Sequence, residues 1–374
     1  QLRYKFDGIQ RNRSIFKNIK SYMKIAITGE KGFLGQHLTF AAKYKFEYNV
    51  VELTRDYIEN LNKIEDCDWL IHCAGVNRGE NVKEGNINLA KELVNGLKKF
   101  NIKTNLIFIS SIQEELDNDY GISKKQAKDI LKKYCIDSGT AFHSYKLPNL
   151  FGPFGKPNYN SVVATFCNNI SKNIEVKANP TAEVHLAYVQ DVCDKILKLS
   201  DNDSFNTTAI GVFNLKEILE YYQDCYSKGI IPELEDEFDT QLFNTFRSYI
   251  NPEHKFERFT DDRGYLIELL KSKHSQTQIF FSTTKPGITR GNHFHFGKVE
   301  RFCILKGSAK IEMRKVGTDK IDTYLISEDD NKVIDIPILY THNITNIGTD
   351  ELVCAFWTNE IFDKNNPDTY YEAV

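Results

Sequence analysis

Two histidines one residue apart, His293 and His295, precede Glu300 in the glycine-bounded stretch GITRGNHFHFGKVERFCILKG, residues 287–307. Side chains alternate faces along a β-strand, so both imidazoles point the same way, and a carboxylate on a neighbouring strand can close on the same point. Two imidazoles and a carboxylate suit a divalent transition metal. His342, in IPILYTHNITN, offers a fourth ligand. The plainer alternative is a pair of surface histidines on a turn. The flanking glycines and the later histidine favour a metal site in a small β-barrel.

A second group lies near the other end of the chain. MKIAITGEKGFLGQHLTFAAKY (23–44) reads as an apolar strand, a glycine turn and a helix, the turn being Gly29-x-x-Gly32-x-x-Gly35. Glycines there let the backbone turn sharply and approach a pyrophosphate, which then sits on a helix N-terminus whose N–H groups lack intrahelical partners. The next strand, Asn49–Leu53, ends in Thr54-Arg55-Asp56. An arginine at that strand end favours the 2′-phosphate of NADP and a carboxylate favours the ribose of NAD. Thr54-Arg55 points to NADP, with Asp56 keeping NAD as the alternative.

A third group completes a proton-transfer set. NLIFISS puts Ser110 and Ser111 at the carboxyl end of a strand, the side where open α/β sheets bind ligands. Tyr120-Gly-Ile-Ser-Lys124 then opens a helix, and residues four apart share a helix face. A lysine beside a phenol is expected to lower its pKa, so Tyr120 can exchange a proton near neutral pH while a serine holds the same carbonyl oxygen. A solvated helix turn would explain the Tyr–Lys pair alone, but not its company in this order.

The elements that must position these groups follow from the pattern. CDWLIHCAG (67–75) is a strand ending in small Ala74-Gly75, a helix with Asn88 follows, and strands continue to alternate with helices. That alternation predicts a parallel, doubly wound sheet. Residues 200–252 read as two closing helices split by GIIPELEDE, and Asn251-Pro252 breaks the last. From 253 on, short alternating strands such as TQIFFSTT, RFCILKG and ELVCAFWT predict an antiparallel sandwich or barrel. The expected division is an extension outside the fold at 1–22, an α/β domain at 23–247 and an all-β domain at 248–374.

Composition narrows the function classes. The chain has 374 residues, 41% hydrophobic and 26% charged, with net charge −3 and mean hydropathy −0.44. This gives no electrostatic case for nucleic acid or an acidic membrane. No stretch approaches the roughly 18 apolar residues that a membrane span needs. Eight scattered cysteines without a CxxC pair read as free thiols in a reducing cytoplasm. Residues 1–22 are basic and aperiodic, and they lack the apolar centre of a signal peptide.

TGEKGFLG, HCAG, ISS and YGISK, in that order, resemble the extended short-chain dehydrogenase/reductase family that acts on nucleotide sugars. The resemblance implies a Rossmann-type fold in which Ser111 polarises a carbonyl, Tyr120 is the general acid, and Lys124 tunes Tyr120 and holds the nicotinamide ribose. Ser111 is preferred to Ser110 because the family places the active hydroxyl second. NADPH is the implied cofactor, with Gly29, Gly32, Phe33, Leu34, Gly35, Arg55, Ala74, Gly75 and Pro148 around it beside Tyr120 and Lys124. YKLPNLFGPFGKPNYNSVVATF (145–166) resembles the segment that follows the catalytic helix, which implies Asn149, Asn160 and Ser161 near the sugar nucleotide. One departure is IQEELDND (112–119), acidic where the family usually carries VYG.

The carboxy-terminal half is similar to the cupin family. Its first motif is matched in full from Gly287 to Gly307, and its second at Pro337, His342 and Asn346, with Leu339 where glycine is usual. TDDRGYLIELLK (260–271) resembles the leading strand of cupin sugar 3,5-epimerases, which need no metal. A reductase followed by this cupin resembles the bifunctional capsular-polysaccharide enzymes of the CapF type over residues 23–374, with KPNYNSVVATFC, FRSYI and DDRG as specific matches. That implies zinc held by His293, His295, Glu300 and His342, a homodimer joined through the cupin, and a UDP-linked 4-keto-6-deoxy-N-acetylhexosamine substrate. C3 epimerisation in the cupin and C4 reduction would give a UDP-N-acetyl-L-talosamine-type sugar on the way to UDP-N-acetyl-L-fucosamine. Two other readings stay open: a ketosugar reductase whose cupin is only structural, and a non-catalytic dinucleotide- and sugar-binding protein.

Overall fold

Apolar β-branched runs buried on both faces need helices on both sides, and the amino-terminal half is built that way. The computed structural model describes residues 23–55, 57–79, 81–199, 204–253 and 257–374; the basic segment 1–22 and the NAD-favouring Asp56 lie outside the described residues. Strands β1 (Lys24–Thr28), β2 (Asn49–Leu53), β3 (Trp69–His72), β4 (Asn105–Ser111) and β5 (Phe142–Leu147) form one parallel sheet in the order β2-β1-β3-β4-β5. The order reverses between β1 and β3, so their carboxyl ends flank the crevice where such sheets bind ligands. Helices α1 (Phe33–Phe40), α2 (Val82–Lys99) and α3 (Asp119–Ser138) connect these strands. In α2 the buried residues Val82, Asn86, Ala90, Leu93 and Leu97 recur every three or four positions, and Ala90, Leu93 and Leu97 share a core with Ala26, Leu70 and Leu106 on one face of the sheet. Ile25, Ile27, Ile71 and Ile107 point to the other face, where Leu38 of α1 packs.

Beyond Pro148 the chain forms β6 (Asn149–Phe151), α4 (Val162–Ser171), β7 (Glu183–Tyr188), α5 (Val189–Leu197) and β8 (Thr208–Gly211), with the three strands in a small mixed sheet. Helices α6 (Val212–Ser227) and α7 (Glu237–Arg247) follow, with the short β9 (Ile230–Ile231) between them. The chain resolves into two compact units, one running to Lys216 and including Asn244–Tyr249, the other comprising Glu217–Phe243 and Ile250–Val374.

The second unit carries the expected antiparallel strands: β10 (Arg258–Asp261), β11 (Gly264–Ser272), β12 (Thr277–Thr284), β13 (Thr289–Phe294), β14 (Glu300–Lys306), β15 (Ser308–Lys315), β16 (Ile321–Ser327), β17 (Val333–Ile336), β18 (Tyr340–Asn346), β19 (Leu352–Thr358) and β20 (Tyr370–Tyr371). One sheet runs β10-β11-β12-β19-β14-β17, with β9 parallel beside β11, and the other runs β16-β15-β18-β13-β20. Alternation sends Phe302, Ile304, Ile311, Met313, Ile344, Cys354 and Phe356 into a common core. Phe280 stacks on Phe356 at 4.8 Å, and Phe302 meets Phe356 edge-on at 4.7 Å. All eight cysteines are free thiols. Among the described residues no helix is long and apolar enough to cross a membrane.

Leu339, the residue in glycine's usual place, keeps the backbone that glycine would have. Its φ is 59°, its N–H donates to the His295 carbonyl at 2.8 Å, and its own carbonyl accepts from Val316 at 3.0 Å. The turn thus places a leucine in left-handed backbone, a cost of about 1–2 kcal/mol. Leu339→Gly is expected to stabilise the β-domain by about 1 kcal/mol after glycine's extra chain entropy is subtracted. A lower denaturation midpoint for the variant would contradict this.

Candidate functional site

The reductase-type site is assembled at the carboxyl edge of the parallel sheet. After β1 the chain turns through Gly29 (φ 69°), and Gly32 N–H donates to the Gly29 carbonyl at 2.9 Å before α1 begins. A Cβ on Gly35 would lie 2.0 Å from that carbonyl, so only glycine lets the helix start so close to the turn. Gly32 is the N-cap and offers no side chain, which leaves the first N–H groups of α1 open to an anion. Phe33 and Leu34, expected beside the cofactor, are half-buried and pack into the core below. At the end of β2, Thr54 and Arg55 are exposed.

The end of β3 is held by polar bonds that the sequence reading did not find. Thr28 Oγ1 lies 2.8 Å from His72 Nδ1 and accepts from the Ala74 N–H at 3.2 Å, tying β1 to the end of β3. Burial lowers the His72 pKa to about 3, with the Lys124 charge adding to it, and the imidazole stays neutral. Asn86, 4% exposed, bonds both main-chain groups of Val76 at 2.8–2.9 Å and donates to Ser123 Oγ at 3.0 Å. It therefore ties the loop after Gly75 to helix α3. Its signal in the sequence was only an asparagine on an apolar helix face, two residues from the Asn88 noted there.

Helix α3 starts on Asn118, whose side chain accepts from the Gly121 N–H at 2.8 Å. This start places Tyr120 beside Ser111 and sends Lys124 inward. Lys124 Nζ donates to the Ile109 carbonyl at 3.0 Å and lies 5.2 Å from the Phe108 ring centre and 5.9 Å from that of Tyr120. Burial lowers its pKa to about 8. The phenol behaves differently from expectation. Burial raises the Tyr120 pKa, a hydrogen bond from Ser111 opposes the rise, and the lysine spends its hydrogen bond on the β4 carbonyl instead. Tyr120 also donates to Asn77 Oδ1 at 3.4 Å, a neighbour with no advance signal. Ser110, the other member of the pair, turns away and donates to Glu114 at 2.6 Å.

The remaining predicted residues differ in their freedom. Pro148 joins β5 to β6, with Asn149 exposed just beyond it. Asn160 is exposed as well. Ser161 is the N-cap of α4, and its hydroxyl accepts from the Ala164 N–H at 3.2 Å, so it has a structural role of its own.

In the β-domain, His293, His295, Glu300 and His342 each present a ligand atom, all within 4.8 Å of one another. The strand assumption needs correcting: β13 ends at Phe294, so His295 lies just past it, and a bulge between Gly291 and His293 aims His293 at its ladder partner His342. Asn292, with φ 62°, carries the bulge. Glu300 opens β14, with His342 Nε2 at 3.1 Å and His295 Nε2 at 3.5 Å from its two oxygens. Burial pushes the Glu300 carboxyl up, but the adjacent His295 and His342 rings, when protonated on Nε2, overcome this and hold it well below the usual range. His293 falls to about 4 through burial and the neighbouring His342.

The outer ring nitrogens reveal what the cluster suits. His295 Nδ1 faces the Asp368 carbonyl and His342 Nδ1 faces the Tyr340 carbonyl, at 3.1 Å for the latter. A nitrogen facing a carbonyl must carry the proton, so once a cation replaces any proton on Nε2 the Nε2 lone pairs turn inward beside Glu300. His295 Nε2 is buried without a hydrogen-bond partner. Inward lone pairs against a carboxylate are the donor set of a cation, with the outer bonds fixing each ring.

Residues 25–212 match the NAD dependent epimerase/dehydratase family, and residues 259–370 match the Polysaccharide biosynthesis C-terminal domain. A Pseudomonas aeruginosa protein described as a UDP-2-acetamido-2,6-beta-L-arabino-hexul-4-ose reductase is 35% identical, covering 94% of this chain and 99% of its own. The crystal structure of the capsular polysaccharide assembling protein CapF from Staphylococcus aureus has TM-score 0.84 and 34% identity, covering 94% of this chain and 100% of that one. The chain belongs to the CapF-type family. A Haloferax volcanii protein described as a probable low-salt glycan biosynthesis epimerase is 28% identical over 29% of this chain and 76% of its own.

This chain buries an ammonium beneath Tyr120, and this sets a pH signature. Lys124 is 5% exposed, and its folded pKa of about 8 lies below its unfolded 10.5. Between these values the unfolded chain binds more protons, so folding gains stability as pH rises through the window. Relative to Lys124→Met, wild type should gain about 3 kcal/mol from pH 7 to pH 10.5. Parallel denaturation curves for the two proteins at both pH values test this, and a constant difference would contradict it.

Proposed function

We propose that the chain reduces the C4 ketone of a UDP-2-acetamido-2,6-dideoxy-hexos-4-ulose with NADPH, after epimerising C3 in its β-domain. The observation that carries the reduction is the Ser111–Tyr120 contact above a buried Lys124, at the ligand-binding edge of the sheet. The reductase name of a relative aligned over nearly the whole chain supports the substrate class. The 23–247 and 248–374 halves are the proposed division of labour.

Reduction of a ketone needs a proton donor, and a phenol with a raised pKa is protonated at neutral pH. Tyr120 gives that proton to the C4 oxygen, and Ser111 donates a hydrogen bond to the same oxygen. The positive Lys124 favours the phenolate left behind, and its Nζ is placed to exchange the Ile109 carbonyl for a ribose hydroxyl. NADPH, when bound, supplies the hydride; the open N–H groups of α1 suit its pyrophosphate, and Arg55 suits the 2′-phosphate.

The C4 ketone acidifies the C3 hydrogen, so epimerisation needs a base and a means of stabilising an enolate oxygen. His293, His295, Glu300 and His342 would hold zinc, whose charge supplies that stabilisation. The epimerase description of the Haloferax volcanii relative supports this half of the reading. A second reading is favoured by the convergence of four protein donors: a closed site of that kind suits a structural metal in a dimerising β-domain. The proposal includes a homodimer joined through this domain, as the sequence resemblance implies.

The test is incubation with a UDP-linked 4-keto-6-deoxy-N-acetylhexosamine in heavy water, with and without NADPH, read by mass spectrometry. Tyr120→Phe should cut ketone-dependent NADPH oxidation by at least about 100-fold. Deuterium incorporation at C3 should persist in this variant; its loss would overturn the division of labour. Removing metal with a chelator should abolish C3 exchange and spare reduction of a substrate that already has the final C3 configuration. Exchange that survives metal removal would favour the structural reading.

A further inference from the structure

The acidic turn that departs from the family pattern contains a buried carboxylate that the proposed chemistry does not touch. Glu114 lies in the single helical turn Ile112–Glu115 that follows Ser111, yet it is only 6% exposed. One of its oxygens accepts from Ser110 Oγ at 2.6 Å. The other accepts from Lys128 Nζ at 2.6 Å and lies 3.0 Å from Lys146 Nζ. Burial raises its pKa, and the bonds from Lys128, Ser110 and Lys146 outweigh this and keep it ionised.

The three partners sit on the three segments that the reductase site needs. Ser110 immediately precedes Ser111 on β4. Lys128 is one turn beyond Lys124 on α3. Lys146 is two residues before Pro148 on β5. The turn is also pressed against the start of α3: a Cβ on Gly121 would lie 2.1 Å from the Gln113 carbonyl. A charge-assisted cluster with two ammonium groups on one buried carboxylate has little freedom to change its distances.

We propose that Glu114 is a positioning residue, a buried carboxylate that cross-links the Ser111 turn, the Tyr120–Lys124 helix and the strand leading to Pro148. It holds Ser111 and Tyr120 on one carbonyl oxygen without touching the substrate. It also accounts for the division between the paired serines, because the Ser110 hydroxyl is committed to Glu114 and Ser111 is left for the ketone. The proposal rests on the reductase reading above.

The experiment compares wild type, Glu114→Gln, Lys128→Met and the double variant as full chains. Glu114→Gln keeps the shape and one acceptor while removing the charge. Displacements near 1 Å cost on the order of 100-fold in rate, so kcat for ketone-dependent NADPH oxidation should fall by about 10- to 100-fold with KM changed less than about threefold. The isotope effect from 4-deuterated NADPH should grow, and amide exchange across residues 110–120 should speed up. The double variant should be no slower than the worse single variant. A lower melting temperature with unchanged kcat would mean a purely structural role and overturn the proposal, as would a loss confined to KM or multiplicative losses in the double variant. Should Glu114→Gln fail to fold, Ser110→Ala removes one bond alone and must still lower kcat several-fold; an unchanged kcat overturns the idea. Absence of wild-type turnover with the 4-ketosugar would remove the reductase reading and this proposal with it.

Discussion

A lysine ammonium buried at the carboxyl edge of a parallel sheet is the constraint around which the reductase half is arranged. Burial of that charge is costly, and Lys124 is compensated by the Ile109 carbonyl and the face of Phe108. Its surroundings are small or fixed for the same reason. A Cβ on Gly75 would lie 3.1 Å from Asn86 Oδ1 and 3.2 Å from Lys124 Nζ, so a larger residue in this loop would have to shift one of them. Asn86 holds the loop beyond Gly75 and reaches Ser123 on the same helix as Lys124. The glycine turn, the Ala74-Gly75 segment after β3 and the start of α3 thus form one packed edge.

The β-domain solves a related problem with the opposite sign of charge. Glu300 is buried among three imidazoles, and backbone carbonyls take the outer protons of two of them. The carboxyl-terminal segment contributes directly: the Asp368 carboxylate accepts from the N–H groups of Phe296, Gly297 and Lys298 at 2.8–3.0 Å. This caps the loop between His295 and Glu300, two donors that strand alternation alone would not have aligned. The bulge at Asn292 and the left-handed turn at Leu339 do the rest of the aiming. Such local departures from regular backbone are expected where a site over-determines the chain around it.

The two halves differ in how far short-range patterns could describe them. Gly29-x-x-Gly32-x-x-Gly35 and Tyr120-x-x-x-Lys124 are local, and their geometry follows from one turn and one helix period. The doubly wound sheet was legible because buried strands and amphipathic helices alternate with clear periods. The β-domain was legible as alternating strands, but its pairing brings residues 293, 342 and 371 into one ladder, which no local pattern specifies. The phenol's acidity was misjudged for the same reason: burial and the competing Ile109 carbonyl come from neighbours distant in sequence.

By itself, the amino-acid sequence determined the fold classes, the order of the motifs and the candidate residues for proton transfer and metal ligation, because each rests on spacing within a strand, turn or helix. Only the tertiary structure decided that Ser110 is taken up by Glu114, why Lys124 points at β4, that Ser161 caps a helix, and where Asn86 and Asp368 find their partners. Those outcomes depend on burial and on hydrogen bonds between segments far apart in the chain. A buried polar group must find its partner wherever folding places it, and that partner is written in no neighbouring residue.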